Sequence, residues 1–83
     1  MIHDNAKMYD NSQMLGNAVM YDHSKMYGNS IMYENSIMYD SSIMSDYSKM
    51  YDCSEMFDNS SMRDYSKLSG KARLSGKARL EGE

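Results

Sequence analysis

The sequence predicts an all-β fold: a single-stranded triangular parallel β-helix, a solenoid of 18 residues per coil and about 4.5 coils. Three observations predict it. A hydrophobe returns every six residues, Ser or Ala follows each hydrophobe by four, and Asp, Glu or Gly follows each by two. Low complexity of this kind otherwise indicates disorder, because too little apolar surface is buried to offset chain entropy. A disordered segment tolerates slips in spacing, however, and this chain contains none.

The hydrophobic series opens at Ile2, continues through Met8, Met14, Met20, Met26, Met32, Met38, Met44, Met50, Met56 and Met62, and closes on Leu68, Leu74 and Leu80. A helix cannot use it. At about 100° per residue, a step of six turns roughly 240°, so these side chains would spread over three faces. A strand with a corner can use it. In Ser-x-Met-Tyr the side chains alternate, with Ser and Met on one side and the intervening residue and Tyr on the other. The next pair, such as Asp4-Asn5 or Gly28-Asn29, is turn chemistry, because these residues tolerate left-handed backbone. Each hexapeptide is then one side and one corner, and three sides close a triangle.

The elements follow in order as one domain over residues 1–83. Residues 2–67 carry the repeat in Met/Tyr/Ser form, and residues 68–83 carry it in Leu/Gly/Ala form with added basic residues. Residues one coil apart should stack about 4.8 Å from each other, the spacing of neighbouring strands. The inner column is core. Outside it, Tyr21, Tyr39 and Phe57 stack beside Val19 and Ile37, Leu15, Tyr33 and Tyr51 beside Ile31, and Tyr9 and Tyr27 near Ile43. Stacked rings stabilise a ladder, and as apolar stripes they are also the expected lateral contact surface. One corner column holds Asp4, Asp22, Asp40 and Asp58. Such carboxylates repel unless they are protonated, hydrogen-bonded or bridged by cations. Bonding to their own turns is expected, with a cation-bridged ladder as the alternative.

These residues resemble the hexapeptide-repeat, left-handed parallel β-helix proteins. Their motif is an aliphatic residue, often Gly next, two corner positions, a small residue and a variable one. The segment LSGKARLSGKARLEGE is especially similar to the bacterial and phage branch built from aliphatic-x-Gly-Asn/Asp-Ala-x units. The resemblance spans the chain and implies left-handed coils. The departure is Met where the family uses Val, Ile or Leu, with Ser or Ala where it often has a larger residue. Long, adaptable Met with small Ser fills the same lumen, at the cost of a softer core that is sensitive to oxidation.

The family includes acyltransferases that use coenzyme A and a catalytic His near clefts between trimer subunits. Here the histidines are His3, in the first unit, and His23, at a corner. Neither has an orienting partner identifiable in sequence, and no inserted loop or C-terminal helix walls a cofactor pocket. Cys53, the single cysteine, sits at a corner without a basic neighbour to lower its pKa. Phosphate loops, zinc-ligand spacings and serine triads are absent, and without Thr no Thr-x-Thr ladder is possible. A non-enzymatic protein with no cofactor and no confident metal site is expected. A net charge of −3 does not call for a nucleic-acid partner. No segment has the pattern of a signal peptide or a membrane span, so no membrane partner is expected; a cytoplasmic location is the default and leaderless export an option.

The expected partner is the chain itself. The repeat begins at Ile2 and stops in mid-unit at Glu83, which predicts uncapped ends of unpaired strand edges. Charge is split along the axis. Residues 1–61 hold three Lys against nine acids, net −6, and residues 62–83 hold six basic residues against three acids, net +3. Opposite ends then favour head-to-tail stacking. A second chain placed after Glu83 continues the pattern with one residue missing, so Met1, Ile2, Leu80 and Glu83 mark the self-assembly ends. Heterologous contacts that do not close make filaments, here with a rise of about 22 Å per subunit. The alternatives are an interaction or spacer segment of a larger phage or bacterial surface protein, and a degenerate hexapeptide-repeat acyltransferase fragment.

Overall fold

Each hexapeptide folds into a two-residue strand and a turn in the computed structural model, which describes residues 2–82. The strands are β1 (Lys7–Met8), β2 (Gln13–Met14), β3 (Val19–Met20), β4 (Lys25–Met26), β5 (Ile31–Met32), β6 (Ile37–Met38), β7 (Ile43–Met44), β8 (Lys49–Met50), β9 (Glu55–Met56), β10 (Ser61–Met62), β11 (Lys67–Leu68), β12 (Arg73–Leu74) and β13 (Arg79–Leu80). They form three parallel sheets, ordered β1-β4-β7-β10-β13, β11-β8-β5-β2 and β12-β9-β6-β3. Every pairing joins strands three apart in sequence, Met20 to Met38 and Met38 to Met56 for example. Ile2 bridges to Met20 and begins the third sheet. The molecule is a three-sided β-solenoid of about 4 turns.

The corners explain why the chain turns where it does. All the residues two beyond the inward hydrophobe have positive φ, from 57° at Asp4 to 90° at Gly82. Asp is one of the few side chains that enters this region at modest cost, since its short carboxylate can bond nearby main chain. The residue two further on closes the turn, as where the Ala6 N–H donates to the His3 carbonyl at 3.1 Å. At two corner glycines, Gly16 and Gly28, the next coil also comes close. A Cβ on Gly28 would lie 3.0 Å from the Asp46 backbone nitrogen in the next coil.

Met20, Met26, Met32, Met38, Met44, Met50, Met56 and Met62 are all 0% exposed. Beside them lie Ser24, Ser30, Ser36, Ser42, Ser48, Ser54 and Ser60, equally inaccessible. Buried hydroxyls need partners. They take the carbonyl three residues back within their own turn, Ser24 to Tyr21 at 2.9 Å and Ser60 to Phe57 at 2.8 Å. The Ser36 hydroxyl is the one buried side-chain oxygen without a partner among the described residues, and nothing in the structure explains it. At the ends, Met8, Met14, Leu74 and Leu80 are only partly buried, because a coil covers each from one side.

Outside the paired strand residues, backbone hydrogen bonds between coils run in one sense. The Lys7 N–H donates to the Ser24 carbonyl at 3.1 Å, Tyr27 to Met44 at 2.8 Å and Ser61 to Ala78 at 3.1 Å, each from the earlier coil to the later. Within the strands, parallel pairing such as that of Lys7–Met8 with Lys25–Met26 adds a bond in the reverse sense. This polarity of the ladder bears directly on what the ends can do.

Candidate assembly surfaces

The corner carboxylates do not bond their own turns as expected. In one column three of them reach forward one coil: Asp22 Oδ2 accepts from the Asp40 N–H at 3.2 Å, Asp40 from Asp58 at 3.0 Å and Asp58 from Gly76 at 3.0 Å. The second corner repeats the device, with Asp46 accepting from the Asp64 N–H at 3.1 Å and Asp64 from Gly82 at 3.3 Å. The reason is geometric. With φ near +60° the Cβ points along the axis at the neighbouring corner, whose amide is otherwise unpaired. Within the column Asp4, Asp22, Asp40 and Asp58, the last three carboxylates are thus held by main-chain amides, and no three His, Cys, Asp or Glu side chains converge as metal ligands among the described residues.

Glu34 occupies such a corner at φ 58°, but its longer side chain makes no bond to the Asp52 N–H one coil on. Glu34→Asp is expected to supply it and stabilise the fold by about 0.5–1 kcal/mol, the modest worth of an exposed hydrogen bond. A rise of a few degrees in Tm checks this. An unchanged Tm would mean that the corner carboxylates contribute only geometry.

The outer rings stack as the repeat requires. Tyr21 and Tyr39 have centroids 5.6 Å apart, Tyr39 and Phe57 5.1 Å, and Tyr9 and Tyr27 4.8 Å, all close to parallel. Tyr33 and Tyr51 lie at 4.8 Å but tilt by 49°. Stacking covers the ring faces, so Tyr21, Tyr39, Phe57, Tyr33 and Tyr51 are half-buried, while Leu15 at the foot of its stripe stays exposed. Burial pushes the Tyr39 hydroxyl above the ordinary tyrosine value; Glu55, Asp40 and Tyr21 add to this and Arg73 opposes it. A folded-state pKa above the unfolded one contributes stability that is complete below about pH 10 and lost as the pH rises through the folded value.

The most exposed aromatics lie elsewhere. Tyr47 and Tyr65 are 49% and 55% exposed, stack at 5.1 Å, and with Lys49 and Lys67 line a groove of about 370 Å³. The aromatic stripes read from the sequence leave this groove out, because Tyr47 and Tyr65 stand at the corner place that Asn takes in other units. The signal was present as the triplet Tyr-Ser-Lys at 47–49 and again at 65–67, one coil apart.

The remaining candidates are dispersed. His3 packs edge-on against Tyr21 at 6.1 Å, and His23 is an exposed corner whose N–H donates to the Asp40 carbonyl at 2.9 Å. Cys53 is exposed and carries a free thiol. At the ends, Ile2 pairs with Met20 and Leu80 with Met62, whereas Met1 and Glu83 lie outside the described residues.

No protein-family model matches the chain, and neither a curated protein nor a solved structure matches it. The solenoid is established by its own sheets; the likeness to hexapeptide-repeat proteins rests on the motif.

Proposed function

We propose that the chain is a non-enzymatic structural protein that self-assembles head to tail into a β-solenoid filament. The observation that carries this reading is the uneven ladder, in which the backbone bonds between coils outside the strands all donate from the earlier coil to the later. In the last described coil the N–H groups of Lys67, Ser69, Arg73 and Arg79 occupy donor positions with no acceptor among the described residues. In the first coil the carbonyls of Ala6, Met8, Asp10 and Ser12 occupy acceptor positions with no donor among the described residues. One end therefore presents mostly donors and the other mostly acceptors. Head-to-tail contact pairs them, while head-to-head contact sets most donors against donors. Charge favours the same arrangement, with net +3 over residues 62–83 and net −6 over residues 1–61. Chain growth by strand-edge templating then needs no change of fold.

Electron microscopy of the purified protein at low and high salt tests the proposal. Thin filaments are expected, with a repeat near 4.8 Å along the axis and a subunit rise of about 22 Å. Arg73→Pro with Arg79→Pro removes two outward N–H groups at an edge where proline is tolerated, and is expected to stop growth while the coils persist by circular dichroism. Discrete wild-type particles at every concentration would overturn the filament and favour the spacer-segment reading.

A further inference from the structure

We infer that the groove of Tyr47, Lys49, Tyr65 and Lys67 docks the four-carboxylate corner column of a second copy of this chain. The inference deepens the filament reading, on which its bundled form rests, by specifying how filaments would meet side to side.

The groove has the chemistry of an anion cradle built at the coil repeat. Ser48 and Ser66 point inward, at 0% and 3% exposure, which turns the flanking Tyr and Lys of each triplet outward. Lys49 and Lys67 are direct partners in the ladder between β8 and β11, so their side chains leave the sheet about 4.8 Å apart. Like charges facing each other in this way destabilise a ladder unless anions lie between them. None do. The single ion pair within 4.0 Å among the described residues is Arg73 Nε to Glu55 Oε1, at 3.7 Å, and it lies on another sheet. The two ammonium groups and the two most exposed rings are thus gathered in one concavity whose lining includes no carboxylate.

The matching anion is on the page. Asp4, Asp22, Asp40 and Asp58 carry a carboxylate in four successive coils, whereas the other two corner columns are interrupted by Gly28 and by Gly16 and Gly70. Asp22, Asp40 and Asp58 each commit Oδ2 to the next coil's amide, which leaves Oδ1 for a partner. The column is convex, the groove is concave, and both repeat with the same coil spacing. Successive lysines therefore meet successive aspartates without a mismatch that grows along the axis. The column follows β3, β6 and β9, whereas Tyr47 and Tyr65 follow β7 and β10. Column and groove thus lie at different corners, and a chain cannot fill its own groove. The contact is heterologous, so each copy presents one groove and one column, and repetition gives a sheet of filaments. Tyr hydroxyls and the polar column neighbours His23, Ser41 and Asn59 add uncharged hydrogen-bonding partners.

The test uses the full chain and two charge-removing variants. Lys49→Gln with Lys67→Gln empties the groove of charge. Asp22→Asn with Asp40→Asn empties the column while keeping a side chain that tolerates positive φ and still accepts the amide bond. Filament formation and lateral association are scored separately, the first by electron microscopy and the second by sedimentation at low and high salt. Wild-type lateral association that falls at least tenfold in either variant, with single filaments unaffected, supports the docking. Filaments that bundle equally in wild type and both variants overturn it and leave the head-to-tail reading standing. If no filaments form, sedimentation of the particles decides in the same way. A wild-type chain without lateral association overturns the docking, as does a groove variant that loses only binding to an added sulfated polysaccharide while copies still associate.

Discussion

Met38→Ala is expected to destabilise the protein by about 2–5 kcal/mol, enough to unfold much of the population at 25 °C. Met38 is 0% exposed and lies in β6, between Met20 of β3 and Met56 of β9. Truncation removes side-chain atoms from a lumen whose neighbouring serines are too small to fill the space. Met38→Leu keeps the volume and should cost less than about 1.5 kcal/mol. The same truncation at Met8, which is only partly buried in the first coil, should cost less than at Met38. Urea denaturation followed by far-ultraviolet circular dichroism measures all three. Equal costs at Met8 and Met38 would mean that the central lumen is no better packed than its end.

The second large effect concerns oxidation. In the folded protein, peroxide should convert Met8 and Met14 to sulfoxides well before the eight methionines from Met20 to Met62, which are 0% exposed. Oxidation of the urea-unfolded chain removes that protection. Each sulfoxide places a polar S=O group where the lumen offers almost no free donor, because every inner Ser hydroxyl that bonds already donates to a turn carbonyl and only that of Ser36 is left over. At roughly 1–3 kcal/mol for each unsatisfied buried group, several together exceed the stability of a domain of this size. The fully oxidised chain is therefore expected to stay unfolded when urea is removed, while a control unfolded without peroxide recovers its β signal. Mass spectrometry of proteolytic fragments gives the order of modification. Uniform oxidation of the folded chain would show that the coils open faster than peroxide reacts.

Much of the fold was legible because its rules are local and repeated. The six-residue return of Ile, Met or Leu settles which side chains share a face. The Asp, Glu or Gly two residues later marks each corner, since few residues enter positive φ cheaply, and all of these positions have positive φ. The small residue four later fits because its hydroxyl finds a carbonyl inside its own turn. The corner carboxylates were read less well. A local reading assigns Asp to its own turn, but a positive φ aims the side chain along the axis, so Asp40 bonds the amide of Asp58 one coil away. The tyrosines show the same limit. Counting aromatics finds the stripes of Tyr21, Tyr39 and Phe57, yet stacking half-buries them and leaves Tyr47 and Tyr65 as the open pair.

The sequence by itself therefore determined the coil length, the content of the lumen, the position of every corner and the separation of charge along the axis. Each of these follows from residues within one hexapeptide, or from a sum over the chain. Only the tertiary structure decided the direction of the ladder, the partner of each corner carboxylate, and which aromatics face water beside unpaired lysines. These depend on residues 18 apart. A repeat can place such residues side by side on paper, but the tilt of a ring or the aim of a carboxylate is set by the coil that lies next to it.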